Sequence, residues 1–196
     1  TRIDRDAQGV WIHSRYGCER FDEVVLATHS DQALRLLAQP SAQEQKVLGA
    51  IRYHPNRAVL HTDASVMPQQ RKAWAAWNYE RGAGANEQGQ HHVCLHYWLN
   101  QLQPLPFRDP VFVSLNPIRP LRSQDVLQEI FYEHPIFDMA AIQAQTQVPH
   151  LQGQQHTWFA GAWMGYGFHE DGLQAAHKVV QHWLHYHQTT VTEALW

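Results

Sequence analysis

The sequence is poor in the signals that identify membrane, secreted and nucleic-acid-binding proteins. It has no run of 18 apolar residues and no basic segment followed by an apolar one, so neither a membrane span nor a signal peptide is predicted. The two cysteines, Cys18 and Cys94, lack C-x-x-C spacing, which favours reduced thiols in a cytoplasmic protein over a disulfide framework. A net charge of -3 gives no indication of nucleic acid as a partner, and a small-molecule substrate is expected instead.

Motifs of hydrolases and metal sites are also missing. No G-x-S-x-G motif occurs, and no spacing of Ser, His and Asp residues marks a catalytic triad. Several of the 15 histidines fall on one predicted helix or one predicted strand: His177, His182, His185 and His187 on the helix, and His91, His92 and His96 on the strand. None of the helical ones has the i, i+4 spacing typical of zinc sites, and the helix also carries a regular apolar stripe. We therefore interpret it as an amphipathic helix and predict no metal site.

Strand and helix patterns predict a mixed α and β fold. The apolar run of a strand over 23–28 is typical of a strand covered on both faces, and a helix with Ser30 or Asp31 as its N-cap follows. A capping-box pattern at Ser41 and Glu44 predicts a second helix. Alternating runs predict an antiparallel sheet in the middle of the chain, with strands over 58–62, 73–79 and 92–98 and a glycine-rich turn over 81–90. The segment "SQDVLQEIFYEHP" is typical of a helix, or of a short helix with a strand end, and a last helix is predicted over about 171–187.

The character of the sequence changes near residues 40 and 150. The outer segments are typical of a nucleotide-binding domain, whereas the middle is typical of an antiparallel sheet with aromatic residues on it. The predicted divisions are therefore 1–40, 41–150 and 151–196, with the first and last in one domain. Because the first residue is not Met and the chain starts inside a β-meander pattern, we expect it to be part of a longer protein.

One stretch, "FAGAWMGYGFHEDGL" over 159–173, carries a specific chemical indication. A strand is followed by a glycine-rich loop, an acid pair and a helix, so that the backbone could approach a ligand closely. The unpaired N–H groups of the first helical turn carry partial positive charge and favour an electron-rich oxygen. A flavin has such an oxygen, because reduction places negative charge at its N1–C2=O2 edge.

These residues carry a family resemblance. Together with "FDEVVLATHSDQALRLL", the stretch closely resembles the C-terminal half of bacterial FAD-dependent oxidoreductases in the flavin-containing amine oxidase superfamily, a group often described as predicted NAD/FAD-binding proteins. The segments "NRAVLHTDASVMP", "AAWNY" and "FVSLNP" are similar to that group as well, in the same order. The resemblance implies an α+β fold in which 41–150 form the substrate-binding domain. Residues 1–40 and 151–196 would then complete a Rossmann-like FAD-binding domain.

The resemblance also implies a reaction and a set of cofactor-binding residues. The reaction is hydride transfer from a substrate C–H bond to flavin N5, with Ala27 and Thr28 near the ADP half of FAD and a backbone N–H of the helix start at flavin O2. The implied cofactor-binding residues are Ala27, Thr28, Gly161, Ala162, Trp163, Gly167, Phe168, His169, Glu170, Asp171, Gly172 and Leu173. No catalytic acid or base is implied. Amine-oxidising relatives carry an aromatic residue where this chain has His169, so an amine substrate is in doubt.

The chain departs from the superfamily in lacking the strand, G-x-G-x-x-G motif and helix that hold the FAD pyrophosphate. The segment "ERGAGANEQG" has Glu87 in place of the third glycine. We therefore expect the pyrophosphate site to lie outside this chain and the chain alone to be inactive. Four aromatic residues, Trp77, Tyr79, Tyr97 and Trp98, are candidates for a substrate pocket on the sheet. The alternative hypothesis is a non-catalytic binding module for an apolar or lipid-like ligand, and the exposed sheet edges predict a possible homodimer.

Overall fold

The computed structural model describes residues 1–85 and 91–193 of the chain, which contain ten β-strands and five α-helices. The strands are β1 (Arg2–Asp6), β2 (Gly9–Ser14), β3 (Gly17–Phe21), β4 (Val24–Leu26), β5 (Tyr53–His61), β6 (Trp77–Ala85), β7 (His91–Trp98), β8 (Phe112–Leu115), β9 (Val126–Pro135) and β10 (Thr157–Phe159). The helices are α1 (Ser30–Leu36), α2 (Ala42–Leu48), α3 (Leu99–Leu102), α4 (Met139–Gln145) and α5 (His169–Glu193). None of these helices combines the length and the apolar character needed to cross a membrane.

The chain divides into two compact units. The first unit combines Thr1–His54 with Pro135–Trp196, and the second consists of Pro55–His134. The predicted mixed α and β class with an antiparallel sheet is confirmed. The assignment of FAD-binding and substrate-binding roles to 1–40, 41–150 and 151–196 stays a prediction, as does pairing of two copies through sheet edges.

The first unit begins with an antiparallel meander of β1, β2 and β3. Ile3 lies opposite Ile12, and Val10 lies opposite Phe21. The turn between β1 and β2 requires glycine, because Gly9 has a φ of +148° and a Cβ there would lie 2.4 Å from the carbonyl oxygen of Phe21. The β-meander predicted at the start of the chain is present.

A short parallel pair, β4 and β10, forms the second sheet of this unit. Val24 lies opposite Thr157, and Leu26 lies opposite Phe159. Side chains of these strands, the meander and the helices share one core, which includes Ile3, Val10, Leu26, Ala33, Leu37, Leu48, Ala141, Val148, Leu151, Phe159 and Trp163. The expectation that β4 is covered on both faces is wrong for the described residues, because Val25 is 53% exposed.

The second unit contains a five-stranded sheet in the order β6-β7-β8-β5-β9. β7 is antiparallel to both β6 and β8, and β5 is antiparallel to β8. One face of the sheet is buried over Phe112, whose ring packs with Val66 and Met67. The edges of the sheet are β6 and β9.

Several local predictions need correction. The segment 126–135 is a strand preceded by a 3₁₀ turn at Ser123–Asp125. The predicted helix is therefore wrong, and the alternative prediction, a short helix with a strand end, is closer to the structure. β6 begins at Trp77 rather than at 73, because Arg71–Ala73 form another 3₁₀ turn. The glycine-rich segment 81–90 is strand as far as Ala85, and 86–90, with Glu87, lie outside the described residues. The N-cap of α1 is His29, not Ser30 or Asp31.

Candidate functional site

The first unit brings two loops together at the carboxyl ends of its parallel strands. Ala27 and Thr28 follow β4, and Gly161 is the second residue after the end of β10. The indole Nε1 of Trp163 donates to the Thr28 carbonyl oxygen at 2.9 Å, across 135 residues of sequence. In open α/β folds this edge is where ligands bind, since both loops leave the sheet there. Five of the predicted cofactor-binding residues, 27–28 and 161–163, therefore lie together.

The packing of these two loops requires glycine at position 161. A Cβ at this position would lie 2.5 Å from Nε1 of Trp163 and 3.3 Å from the Thr28 carbonyl oxygen. Any larger residue would therefore push the indole away from its hydrogen bond with Thr28. The glycine permits the close approach of the two loops.

The start of α5 is organised by Asp171. Its Oδ2 accepts hydrogen bonds from the backbone amides of Tyr166 at 3.0 Å and Phe168 at 2.9 Å. Gly165 packs against the same carboxylate, because a Cβ there would lie 2.4 Å from its Oδ1. Gly167 turns the chain with a φ of +87°. Asp171 thus holds the loop that leads into the helix, rather than the first amides of the helix itself.

The first turn of α5 faces the loop after β10. A Cβ on Gly172 would lie 3.8 Å from Ala162, which is an ordinary contact distance. The Gly172 amide donates to the Phe168 carbonyl oxygen at 3.3 Å, so the amides without an intrahelical acceptor are those of 169–171. These amides give the helix start a partial positive charge next to Gly161–Trp163.

The surroundings of this helix start are apolar and open. Tyr166, Phe168 and Leu173 are 66%, 65% and 62% exposed, which is high for large apolar side chains. Glu170 is turned along the helix, where its Oε1 accepts from Gln174 at 2.7 Å. His169 is exposed. Among the residues that the structure describes, none is seen to contact these side chains in a way that would make one of them a general acid or base.

Two supporting residues were missed by the sequence reasoning. Gln145 of α4 donates through Nε2 to the carbonyl oxygens of Trp163 at 2.9 Å and Gly165 at 2.7 Å, and so fixes the loop before α5. Tyr53 accepts a hydrogen bond from the Ser30 amide at 2.9 Å and stacks on His29 with ring centroids 4.4 Å apart. No local spacing signals either contact, because each joins segments that are distant in sequence.

The predicted substrate-pocket residues lie in the second unit and divide between the two faces of its sheet. Trp77 lies opposite Tyr97, with ring centroids 5.6 Å apart, and Tyr79 shares their face by strand alternation. Trp77 is 58% exposed and Tyr79 is 66% exposed. Trp98 points to the opposite, buried face and packs edge-on against Trp74 with centroids 5.3 Å apart. An aromatic surface is therefore formed by three of the four residues.

The fold matches solved structures, although no family model and no curated protein matches the sequence. One is the crystal structure of a CLA-producing fatty acid isomerase from P. acnes, with 16% identity and a TM-score of 0.59 over 93% of this chain and 46% of the isomerase chain. Another is a "Putative protoporphyrinogen oxidase" from Exiguobacterium sp. 255-15, with 14% identity and a TM-score of 0.52 over 92% of this chain and 45% of the other. At these identities the likeness is one of fold. The chain spans slightly less than half the length of either structure.

Proposed function

We propose that this chain forms part of an FAD-dependent oxidoreductase of the amine oxidase type. The observation that carries the proposal is the meeting of Thr28, Gly161–Trp163 and the start of α5 at one edge of the parallel strands. The similarity in fold to an oxidase and to an isomerase supports the class. The substrate is a small molecule that loses a hydride from a C–H bond.

The residues at this edge fit a flavin cofactor. Ala27 and Thr28 would lie near its ADP half, and Gly161, Ala162 and Trp163 beside the ring system. The first turn of α5 would supply backbone amides to the pyrimidine edge of the ring, from among those of 169–171, which have no intrahelical acceptor. Gly161 lets the loop after β10 pack against Thr28, and the first turn of α5 packs against Ala162 at Gly172, so that both loops and the helix start would border the cofactor together. When bound, FAD would supply the hydride acceptor at N5.

The contribution of the chain to the reaction is electrostatic and positional. The positive end of α5 would stabilise negative charge on an adjacent oxygen without reorganising, because its amides are held in place by the helix. The hydrogen bond from Trp163 to Thr28 and those from Gln145 keep the neighbouring loops fixed. Tyr166, Phe168 and Leu173 are exposed apolar side chains near the helix start. When the cofactor is bound against them, they would exclude water from the flavin ring.

A substitution at Gly172 tests this placement. Gly172→Trp places an indole at the contact between the helix start and Ala162, beside which the cofactor edge is proposed to lie. We expect flavin content in the full-length protein, measured by visible absorbance, to fall to less than about a tenth. Ala176→Trp, on an exposed position one turn further along α5, is the matched control and should keep its flavin. Equal flavin content in the two variants would contradict the proposed placement.

A second candidate function is supported by the exposed aromatic surface of Trp77 and Tyr79. Such a surface could bind an apolar or lipid-like ligand without catalysis. A colourless protein that takes up a fluorescent fatty acid, and loses this uptake on Trp77→Ala with Tyr79→Ala, would favour the binding module. The control is Tyr16→Ala, since Tyr16 is 81% exposed in the other unit. A yellow protein without fatty-acid uptake would favour the oxidoreductase.

A further inference from the structure

A continuous chain of hydrogen bonds crosses the buried face of the five-stranded sheet. It joins one side chain from each of four adjacent strands, in the order Glu80 of β6, His96 of β7, Ser114 of β8 and His61 of β5. Nε2 of His96 lies 3.0 Å from Oε2 of Glu80, and its Nδ1 lies 2.6 Å from Oγ of Ser114. The same Oγ lies 2.7 Å from Nε2 of His61. The chain of hydrogen bonds lies in the second unit and takes no part in the proposed flavin site.

The Glu80 carboxylate sets the direction of these hydrogen bonds. Burial alone would raise the pKa of Glu80, but hydrogen bonds from His96 and Arg119 outweigh it and lower the pKa, so the group is an acceptor only. Nε2 of His96 therefore donates to Glu80, and in the neutral ring Nδ1 accepts from the Ser114 hydroxyl. Because a hydroxyl has a single proton, the Ser114 oxygen must accept from Nε2 of His61. His61 is thereby held as its Nε2–H tautomer.

The chain of hydrogen bonds ends in the interior, at Nδ1 of His61. This nitrogen is an acceptor in the Nε2–H tautomer, and in the part of the chain that the structure describes no group donates to it. Burial lowers the pKa of His61 to about 4, so a ring with both nitrogens protonated is disfavoured. The nearby carboxylates of Asp63 and Asp125 attract a proton on the ring, but both are paired with Arg122. A proton that binds Nδ1 therefore favours loss of the proton on Nε2.

An added proton is best compensated at the other end, between His96 and Glu80. With protons on both of its nitrogens, His96 is an imidazolium in contact with the Glu80 carboxylate, which stabilises the charge. Cys94, whose Sγ lies 3.7 Å from Nδ1 of His96, adds no charge, because burial raises the pKa of its thiol to about 12. His96 is 1% exposed, so this carboxylate replaces the stabilisation that water would give.

We propose that His61, Ser114, His96 and Glu80 form a proton relay, which takes up a proton at Nδ1 of His61 and holds its charge beside Glu80. As Nδ1 of His61 gains the proton, its Nε2 proton passes to the Ser114 oxygen and the hydroxyl proton passes to Nδ1 of His96. One proton enters, and each of the others moves along one hydrogen bond. Every hydrogen bond between His61 and His96 is then reversed, and no heavy atom has to move. His61 becomes its Nδ1–H tautomer without becoming charged.

Nitrogen NMR of the full-length protein, labelled with ¹⁵N at histidine, tests the relay, because protonated and bare ring nitrogens differ in chemical shift. The signals of His61 and His96 are assigned from His61→Gln and His96→Gln. At alkaline pH we expect both rings to carry their proton on Nε2. As the pH falls, we expect Nδ1 of His96 to gain a proton and the proton of His61 to move from Nε2 to Nδ1, with one shared midpoint.

Two variants separate a relay from a fixed network. Ser114→Ala interrupts the chain of hydrogen bonds, so His61 should keep one tautomer while His96 takes up its proton. Ser30→Ala is the matched control, because it removes a completely buried hydroxyl from the other unit and should leave both titrations unchanged. Glu80→Gln removes the carboxylate that compensates the charge and should move the shared midpoint about 1–3 pH units lower. If Ser114→Ala does not fold, the shared midpoint and this shift still decide.

The proposal is overturned if His61 keeps its Nε2 proton while His96 is protonated, or if neither ring changes over the pH range in which the protein is folded. These side chains would then be a fixed hydrogen-bond network. The same tautomer change of His61 in Ser114→Ala would exclude the relay, since the hydroxyl is its only link between the two rings. An unchanged midpoint in Glu80→Gln would show that the charge is not held beside Glu80.

Discussion

At the scale of single residues, His61 makes the stability of the second unit dependent on pH. It is fully buried on β5, where its Nε2 bonds to Ser114 and its ring lies 5.5 Å from that of Phe112. Burial lowers the pKa of His61 to about 4, although the nearby Asp63 carboxylate acts in the opposite direction. The folded protein therefore favours the neutral imidazole over a range in which the unfolded chain is protonated.

The direction of the pH effect follows from this difference. Because the folded pKa lies below the unfolded value of 6.5, the stabilisation is complete above pH 6.5 and is lost as pH falls towards 4. We expect the free energy of unfolding to drop by about 2 kcal/mol more between about pH 7 and pH 5 than in His61→Gln. Urea denaturation at the two pH values measures the difference. His92→Gln, at an exposed position on β7, should behave like the unchanged protein, and an equal pH dependence for His61→Gln would show that His61 is not responsible.

Residue types alone predicted the residues of one candidate site, and they gave no prediction of a buried polar cluster in the second unit. The glycines and the acid pair over 161–172 predicted a loop and a helix start, because their local spacing limits the backbone conformations available. The cluster of Glu80, Cys94 and His96 was not predicted, since it depends on the register of β6 against β7. The sequence analysis placed His91, His92 and His96 on one predicted strand, but the sequence alone does not show that Glu80 of the neighbouring strand lies on the same face as Cys94 and His96.

At the scale of secondary structure elements, the start of α5 depends on the side chain of Asp171. Asp171→Ala would leave the amides of Tyr166 and Phe168 without their acceptor and release the loop that contains Gly165 and Gly167. We expect a loss of about 1–2 kcal/mol in the free energy of unfolding, measured by urea denaturation. Glu170→Ala is the control, because it removes only a helical contact with Gln174 and should cost less than about 0.5 kcal/mol. Similar losses for the two variants would mean that Asp171 does not hold the loop.

Elements with strong local signals were predicted better than those that depend on partners. The capping box of Ser41 and Glu44 is present at the start of α2, where each side chain bonds to the backbone amide of the other residue. The last helix was predicted over 171–187 and runs over His169–Glu193. In contrast, the apolar residues of β9 recur at spacings that also suit a helix, and only its place in the sheet makes it a strand. Sequence patterns therefore predicted elements more reliably where capping and periodicity agreed.

At the scale of the whole molecule, a buried ion pair joins distant parts of the first unit. Arg5 of β1 and Glu44 of α2 form two hydrogen bonds, of 2.5 and 2.9 Å, and their side chains are 4% and 2% exposed. Arg5 also donates to the Gln39 carbonyl oxygen and to Oγ1 of Thr157 on β10. Burial alone would raise the pKa of Glu44, but hydrogen bonds from Arg5 and the Ser41 amide outweigh it and lower the pKa. The meander, the second helix and the parallel pair are thus connected through the guanidinium group of Arg5.

Removing one partner of this ion pair should lower the free energy of unfolding more than removing both partners. Arg5→Met leaves the Glu44 carboxylate buried without its cation, and we expect a loss of about 3–5 kcal/mol in the free energy of unfolding. Arg5→Met with Glu44→Leu removes the buried charge and should recover most of this loss, apart from about 1 kcal/mol for the missing capping interaction with Ser41. Urea denaturation of the single and double variants gives the coupling free energy between the two positions. Additive losses would show that the pair contributes through packing, because only a buried unpaired charge makes the single variant less stable than the double one.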